Sequence, residues 1–256
     1  MSTTAEIQAK VADGDKNNPL AHIQQMLNLT EKQFGLALAD TIDTGKFIRV
    51  AFNEIRRNPG LQKASWPSLA GALMASAQLG LEPGGPLGHT YLIPYKDEVQ
   101  LIIGYKGMEQ LAYRSGLVAS ITARVVRQGD DFDFRFGSDE YIHHLPKAGV
   151  GGEVTHAYAI ARLVTGGQVM VVLFREDIDR RKGRSASGDN AKSPWATDYD
   201  EMARKSAIRA LFRDLPASTE TQRALGYDER GFHRPEDADL GTPGEGEVID
   251  VDEVTT

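Results

Sequence analysis

The stretch HTYLIPYKDEVQLIIGYKGMEQLAYRSG, residues 89–116, decides how the rest of the chain is read. Two apolar runs, HTYLIPY and EVQLIIG, flank Lys96-Asp97, and their aromatic and β-branched content predicts a β-hairpin with apolar residues on both faces. A helical pattern follows from Gly107 to Ser115. Further on, residues 117–127, about 131–136, 153–165 and 168–175 read as strands, the last pair joined at Gly166-Gly167, a strong hairpin signal. The middle of the chain is therefore an antiparallel sheet crossed by a helix.

Upstream the period changes. Ile23, Met26 and Leu27, then Phe34, Leu36 and Leu38, then Phe47, Val50, Ala51 and Ile55 recur at helical spacing, and Asn58-Pro59 ends the last of these runs. A further helix is expected from Ser65, an N-cap, with Pro67 in its first turn and Gly80 past its end. Near the other terminus, Ser193-Pro194 places cap and N1 proline in the preferred order at the start of a long helix reaching Leu215. The expected class is α+β, with a helical N-terminal third, a central antiparallel sheet with a crossing helix, and a long C-terminal helix. Residues 1–18 are polar and aperiodic and read as a flexible arm, 19–227 as a single domain, and 228–256 as an acidic disordered tail. The polar segment GRSASGDNAKS, residues 183–193, is a loop, and no solenoid-type repeat is present.

Composition narrows the function classes. The 256 residues are 41% apolar, enough for a substantial core. With no cysteine, disulfide and thiolate chemistry are excluded, and a cytoplasmic setting is expected. The longest aliphatic-aromatic run, VMVVLF at 169–174, is too short for a bilayer span. The net charge is −7, but residues 228–256 hold ten acidic and two basic residues, so residues 1–227 carry +1. A near-neutral body attracts an anion only through locally clustered cations.

Such clusters exist. In GYKG, residues 104–107, a strand-to-helix turn would bring first-turn N–H groups near the Lys106 ammonium, an arrangement suited to phosphate; the plainer reading is a tight turn with a solvated lysine. In PWATDYDEMARKSAIRALFRDLP, residues 194–216, helical spacing places Lys205, Arg209 and Arg213 within about 80° of one another, opposite Ala207, Ile208, Leu211 and Leu215. Asp198, Asp200, Glu201 and Asp214 are available as local partners, which leaves open an ordinary solvated face. Arg204 projects toward the apolar side, so it either snorkels or reaches a neighbouring subunit. The densest run, Arg180-Arg181-Lys182-Gly183-Arg184 with Lys192 after it, leads into Trp195 and suits gripping a single strand, although Trp195 reads better as a core anchor. Tyr91, Tyr95, Tyr105 and Tyr113 offer rings for bases, but sheet packing is the favoured reading.

Catalytic signatures are sparse. Thr44-Gly45-Lys46-Phe47 resembles the end of a phosphate-binding loop but lacks the earlier glycine and the following Ser/Thr. Asp130, Asp131 and Asp133 with Glu153, His143 and His144 form the alternative, a metal-dependent nuclease. Against it, Asp130-Asp131 reads as a turn and adjacent histidines on a strand face opposite ways.

Taken in order and spacing, residues 89–116, the strand and turn from Val125 to Asp130, and residues 194–216 resemble the RecT family of phage single-strand annealing proteins, relatives of the phage lambda beta recombinase. The likeness spans roughly residues 70–220. It implies an ATP-independent recombinase that coats single-stranded DNA, aligns it with a complementary strand and holds the nascent duplex in a multimeric filament or ring. It also implies an antiparallel sheet backed by a long helix, similar to ring-forming annealing proteins. By motif match the DNA-binding positions are Lys96, Gln100, Tyr105, Lys106, Lys205 and Arg209, with Arg204 and Arg213 beside them. No cofactor is expected to be required, magnesium entering only as a modulator of DNA binding. The chain departs from the family at Asp97 and Glu98, where relatives often carry glycine or a basic residue, and residues 1–60 carry no family signature, which leaves the N-terminal helices for subunit contacts. The acidic segment EVIDVDEV, residues 247–254, is expected to dock a single-strand-binding protein or an exonuclease, to compete with DNA, or only to solubilise the chain.

Overall fold

The computed structural model describes residues 19–38, 42–149, 151–185, 191, 193–216, 224 and 226. The N-terminal arm, Lys192, most of the 183–193 loop and the acidic tail lie outside them. The helical start consists of α1 (Pro19–Ala37), α2 (Thr44–Arg57), α3 (Pro59–Lys63) and α4 (Trp66–Gln78). Their apolar residues at helical spacing, including Leu27, Phe34, Phe47, Ile55, Leu61, Leu69 and Leu73, are fully buried in one core. Removing each such side chain from water contributes about 1.5–3 kcal/mol. Leu36, by contrast, is exposed, because α1 runs on as one helix and carries it to the outer side. Asp43 caps α2 by accepting from the Lys46 N–H at 2.8 Å, whereas Ser65 occupies the N-cap of α4 without a side-chain hydrogen bond.

The hairpin follows as read: β1 (Thr90–Tyr95) pairs antiparallel with β2 (Glu98–Ile103), with Lys96 in a left-handed conformation at its tip. Leu92, Val99, Leu101 and Ile103 turn inward, β2 packing on α4. Helix α5 (Tyr105–Arg114) begins two residues before the expected Gly107, with Gly104 at its N-cap. A side chain at Gly104 would meet the Gly88 carbonyl at 2.2 Å, and one at Gly107 the His89 carbonyl at 2.2 Å. Both glycines are therefore demanded by the close passage of the 88–89 backbone, not by turn conformation.

Strands β3 (Val118–Arg127), β6 (Val154–Leu163) and β7 (Gln168–Phe174) form an antiparallel sheet in the order β3-β6-β7. One face of β6 presents Ala157, Ala159 and Ala161, all fully buried, and α8 (Tyr199–Asp214) lies across it with Ala203, Ala207, Leu211 and Phe212. Alanines on both sides permit this close approach. Two further strands, β4 (Asp131–Arg135) and β5 (Tyr141–Leu145), form a separate hairpin over the opposite face. There Phe132, Phe134 and Ile142 pack on Val126, Tyr158 and Val172 in a second, aromatic core, with Phe132 stacked on Tyr158 at 5.8 Å.

Three features depart from expectation. Strand β5 falls outside the segments read as strands, although the opposite facing expected of His143 and His144 sets those two residues on one. Residues 175–183 form a helix, α6 (Arg175–Gly183), whose acidic first turn and basic last turn complement its dipole. The long C-terminal helix is interrupted at Asp198, splitting it into α7 (Pro194–Thr197) and α8. The break turns Tyr199 toward α6, where its hydroxyl donates to Asp179 at 2.7 Å and its ring receives the Arg175 guanidinium at 4.7 Å. Trp195 is buried beside it, the core anchor expected.

Candidate nucleic-acid interface

The GYKG turn and the cationic stripe of α8, a hundred residues apart in sequence, meet in space. Lys205 Nζ sits over the Tyr105 ring, 5.5 Å from its centroid, and Arg209 donates through Nη2 to the Ile103 carbonyl at 2.7 Å, tying α8 to the end of β2. Lys106 is exposed on the first turn of α5, whose leading N–H groups have no intrahelical partner. Glu109, one turn on, feels both Arg204 and Lys106, yet burial holds its carboxyl above the ordinary range. Burial also pushes the Tyr105 hydroxyl up, with Glu201 and Glu109 adding to the effect and Tyr91 near enough to contribute.

Arg204 does not lie on the apolar side of α8. It is exposed, pairs with Glu201, and lines a groove of about 940 Å³ with Tyr105, Glu109 and Arg124 along the open edge of β3. Arg213 is exposed and faces another group. Arg181 on α6 is held below the ordinary arginine range by burial first, then by the charges of Arg213, Arg184 and Arg209. The densest basic run of the sequence thus converges with the end of the α8 stripe, a meeting that only the unforeseen α6 makes possible. Along α8 the stripe from Lys205 to Arg213 covers about 12 Å.

The hairpin extends the surface in the other direction. Gln100 is half-buried opposite Ile93, and Lys96 stands at the tip, its ammonium 5.6 Å from the Tyr95 ring centroid. Strand β2 from Ile103 to Glu98 spans about 17 Å, and Lys96 lies beyond it in the turn, so it is set apart from the other cations and is not clustered with them. Tyr91 and Tyr95, expected to pack within the sheet, are exposed, and Tyr91 leans over Gly104 with its ring 3.0 Å from where a side chain there would begin. Tyr113 is exposed too, but its hydroxyl accepts the Ile121 N–H at 3.0 Å, which places it on the β3 edge, away from the hairpin.

The carboxylates of the alternative reading do not assemble. Asp130 accepts the backbone N–H groups of Arg127 at 2.8 Å and Lys147 at 3.0 Å and pairs with His144 at 3.1 Å, and these bonds hold its carboxyl at about 2. His144 in turn meets the Tyr158 hydroxyl at 3.2 Å, so the trio pins the β4–β5 hairpin to the sheet. Asp133 takes the Tyr141 hydroxyl, Glu153 is exposed beside Arg175, and His143 faces outward from His144. Among the described residues no cluster of three or more His, Cys, Asp or Glu could hold a metal. Lys46 of the partial phosphate-loop motif pairs with Glu82 at 2.5 Å, in the first turn of α2.

Comparison with known proteins places the chain in a family. The RecT family model matches residues 45–240. The chain belongs to the RecT family. It is 44% identical over 229 residues to Protein RecT of Escherichia coli (strain K12), covering 86% of this chain and 84% of that protein. It is also 27% identical over 166 residues to YqaK, an uncharacterized protein of Bacillus subtilis (strain 168), covering 64% of this chain and 57% of that one. RecT-family membership makes the chain a recombination protein of the single-strand annealing kind, and it does not favour the nuclease alternative. Among the described residues of this RecT-family chain, no helix is long and apolar enough to cross a membrane.

Proposed function

We infer that the chain binds single-stranded DNA without ATP and anneals it to a complementary strand, using Lys106, Lys205 and Arg209 with Tyr105 as the centre of the site and Arg204, Arg213, Gln100 and Lys96 at its margins. The observation that carries this reading is the contact between the GYKG turn and α8, where Lys205 lies over Tyr105 and Arg209 reaches the end of β2. Annealing requires a grip on the sugar-phosphate backbone that leaves base edges exposed, and lysine, arginine and backbone N–H groups supply that grip without a base-reading code. Base pairing then contributes the specificity and the driving free energy, so no nucleotide motor is needed. Magnesium acts here only by competing with these side chains for phosphate. Each protomer offers few contacts, and affinity grows through assembly of protomers along one strand. The acidic tail at 228–256 serves as a docking segment for a partner protein or as a competitor of DNA; its deletion should change partner binding or DNA affinity, and no change in either would end that part of the reading.

The test is an assay with complementary oligonucleotides, one labelled, with no nucleotide present and with or without magnesium. Annealed product that forms faster than in the protein-free control supports the reading. Shortened strands that require magnesium would replace it with hydrolysis.

A further inference from the structure

The outer face of the β1–β2 hairpin is unpartnered within the described residues. Alternation along β1 turns Tyr91, Ile93 and Tyr95 to one side, at 47%, 42% and 36% exposure, while Leu92 on the other side is buried. Across the ladder the same face receives Ile102, Gln100 and Glu98. An apolar face of this kind on a soluble chain calls for an occupant.

Its setting selects one. The stripe is bounded by a cation set against a ring at each end: Lys96 at the Tyr95 ring, and, past Tyr91, Lys205 at the Tyr105 ring with Lys106 next to it. Tyr91 joins the two halves, since its ring covers Gly104, the residue immediately before Tyr105. Successive outward side chains on a strand are about 6.6 Å apart, so the rings are separate platforms and not one stacked pile. A protein partner with an apolar face would find lysines at both ends unmatched. A polymer with flat apolar units and a continuous anionic backbone matches both components at once.

We propose that Tyr91 and Tyr95 are base platforms, each stacking on a nucleobase of the bound single strand while Lys96, Lys106 and Lys205 hold the flanking phosphates. This rests on the phosphate-binding reading above and adds to it a contact with the base faces. Ring stacking leaves the pairing edges of the base free, so the same nucleotide remains open to its complement. The hairpin spaces the bases before pairing, and α8 holds the backbone.

The experiment compares an oligothymidylate with an abasic oligomer of equal length, which has the same phosphates and no bases. Affinities come from fluorescence anisotropy of end-labelled strands at one salt concentration, on the full chain. Tyr91→Ala and Tyr95→Ala should each weaken oligothymidylate binding about tenfold and leave abasic binding unchanged, while Tyr91→Phe retains the binding of the parent chain. Because Tyr91 also covers Gly104, a thermal melt accompanies each variant, and Tyr95 at the hairpin tip serves as the second, independent site. Equal losses on both strands, or no loss on either, would overturn the proposal; the former with a change in the mass of the DNA-free protein would make the stripe a contact between copies of the chain. Lys106→Ala separates the two readings, because it should weaken both strands alike. If it weakens neither while the tyrosine variants still distinguish bases from abasic sites, stacking stands and the phosphate assignment falls.

Discussion

Replacing Lys106 and Arg213 with alanine should remove two phosphate contacts and leave the fold in place. Both side chains are exposed and stand outside the hydrogen-bond and ion-pair network of the described residues. Arg209 is a poorer choice, since it donates to the Ile103 carbonyl at 2.7 Å, and its loss would cost about 1–3 kcal/mol of fold stability by stranding that acceptor. With Arg204 left out because Glu201 already matches its charge, five cations, Lys96, Lys106, Lys205, Arg209 and Arg213, line the proposed path. At about 0.7 per phosphate on a single strand, the slope of log affinity against log salt is about −3.5 for the parent chain and about −2.1 for the double variant. Between 50 and 200 mM salt the parent should therefore lose about 130-fold in affinity and the variant only about 18-fold. Anisotropy of a labelled oligothymidylate at four monovalent salt concentrations, without magnesium, measures both slopes. Lys32→Ala, an exposed lysine on α1, is the control and should leave the slope alone. Parallel slopes for parent and double variant, with melting temperatures unchanged, would refute the placement of DNA on this surface.

Three other outcomes follow from the same geometry. Asp130→Ala deprives two backbone N–H groups and the buried His144 of their acceptor, and should cost about 2–5 kcal/mol in urea unfolding; a loss under about 1 kcal/mol would show that the trio does not pin the β4–β5 hairpin. Gly107→Ala sets a methyl 2.2 Å from the His89 carbonyl, so the backbone must move; a stability loss of about 1–3 kcal/mol together with weaker single-strand binding is expected, and an unaffected melting curve would contradict the close passage. Burial keeps the His156 pKa below its usual 6.5, as it does for His89, so the unfolded chain takes up protons first: this share of stability is complete above about pH 6.5 and is lost as pH falls, while that from Asp130 is lost later, between 3.8 and about 2. Melting temperatures from pH 8 to pH 5 should decline, less so for His156→Phe, and identical curves for parent and variant would remove His156 from the account.

Much of the fold could be read from period and punctuation. The strands at β3, β4, β6 and β7 and the buried face of α8 follow from local period, because each of these elements buries one side and the pattern records it, whereas the β1–β2 hairpin, apolar on both faces, follows from its aromatic and β-branched runs on either side of Lys96-Asp97. Strand β5 and helix α6 escaped for the opposite reason. YIHHL buries Ile142 and His144 against the aromatic core only once β4 is in place, and REDIDRRKG buries Ile178 alone, so neither carries a periodic stripe. The acid-to-base order of α6 is the available signal, and by itself it reads only as a charge run. Likewise the break at Asp198 answers to Tyr199 reaching Asp179 and Arg175, contacts with a helix that local reading had not found.

The site divides along the same line. Sequence singled out Lys106, Lys205 and Arg209, and these meet because Gly104 and Gly107 allow α5 to press against residues 88–89 while Arg209 spans to Ile103. What one-dimensional reading could not supply was company: the approach of Arg181 to Arg213, or the exposure of Tyr91 beside Tyr105. The two additions differ in consequence. More arginines at the far end of α8 lengthen an electrostatic path that salt weakens, whereas tyrosines on the hairpin contribute a term that salt barely touches. On the proposed function, a surface that combines them would hold a strand loosely enough along its backbone for a complement to approach, and would retain it at high ionic strength through the bases. The residual affinity at high salt is therefore the quantity in which the hairpin and the helix should separate, tyrosine variants lowering it and lysine or arginine variants changing the slope that leads to it.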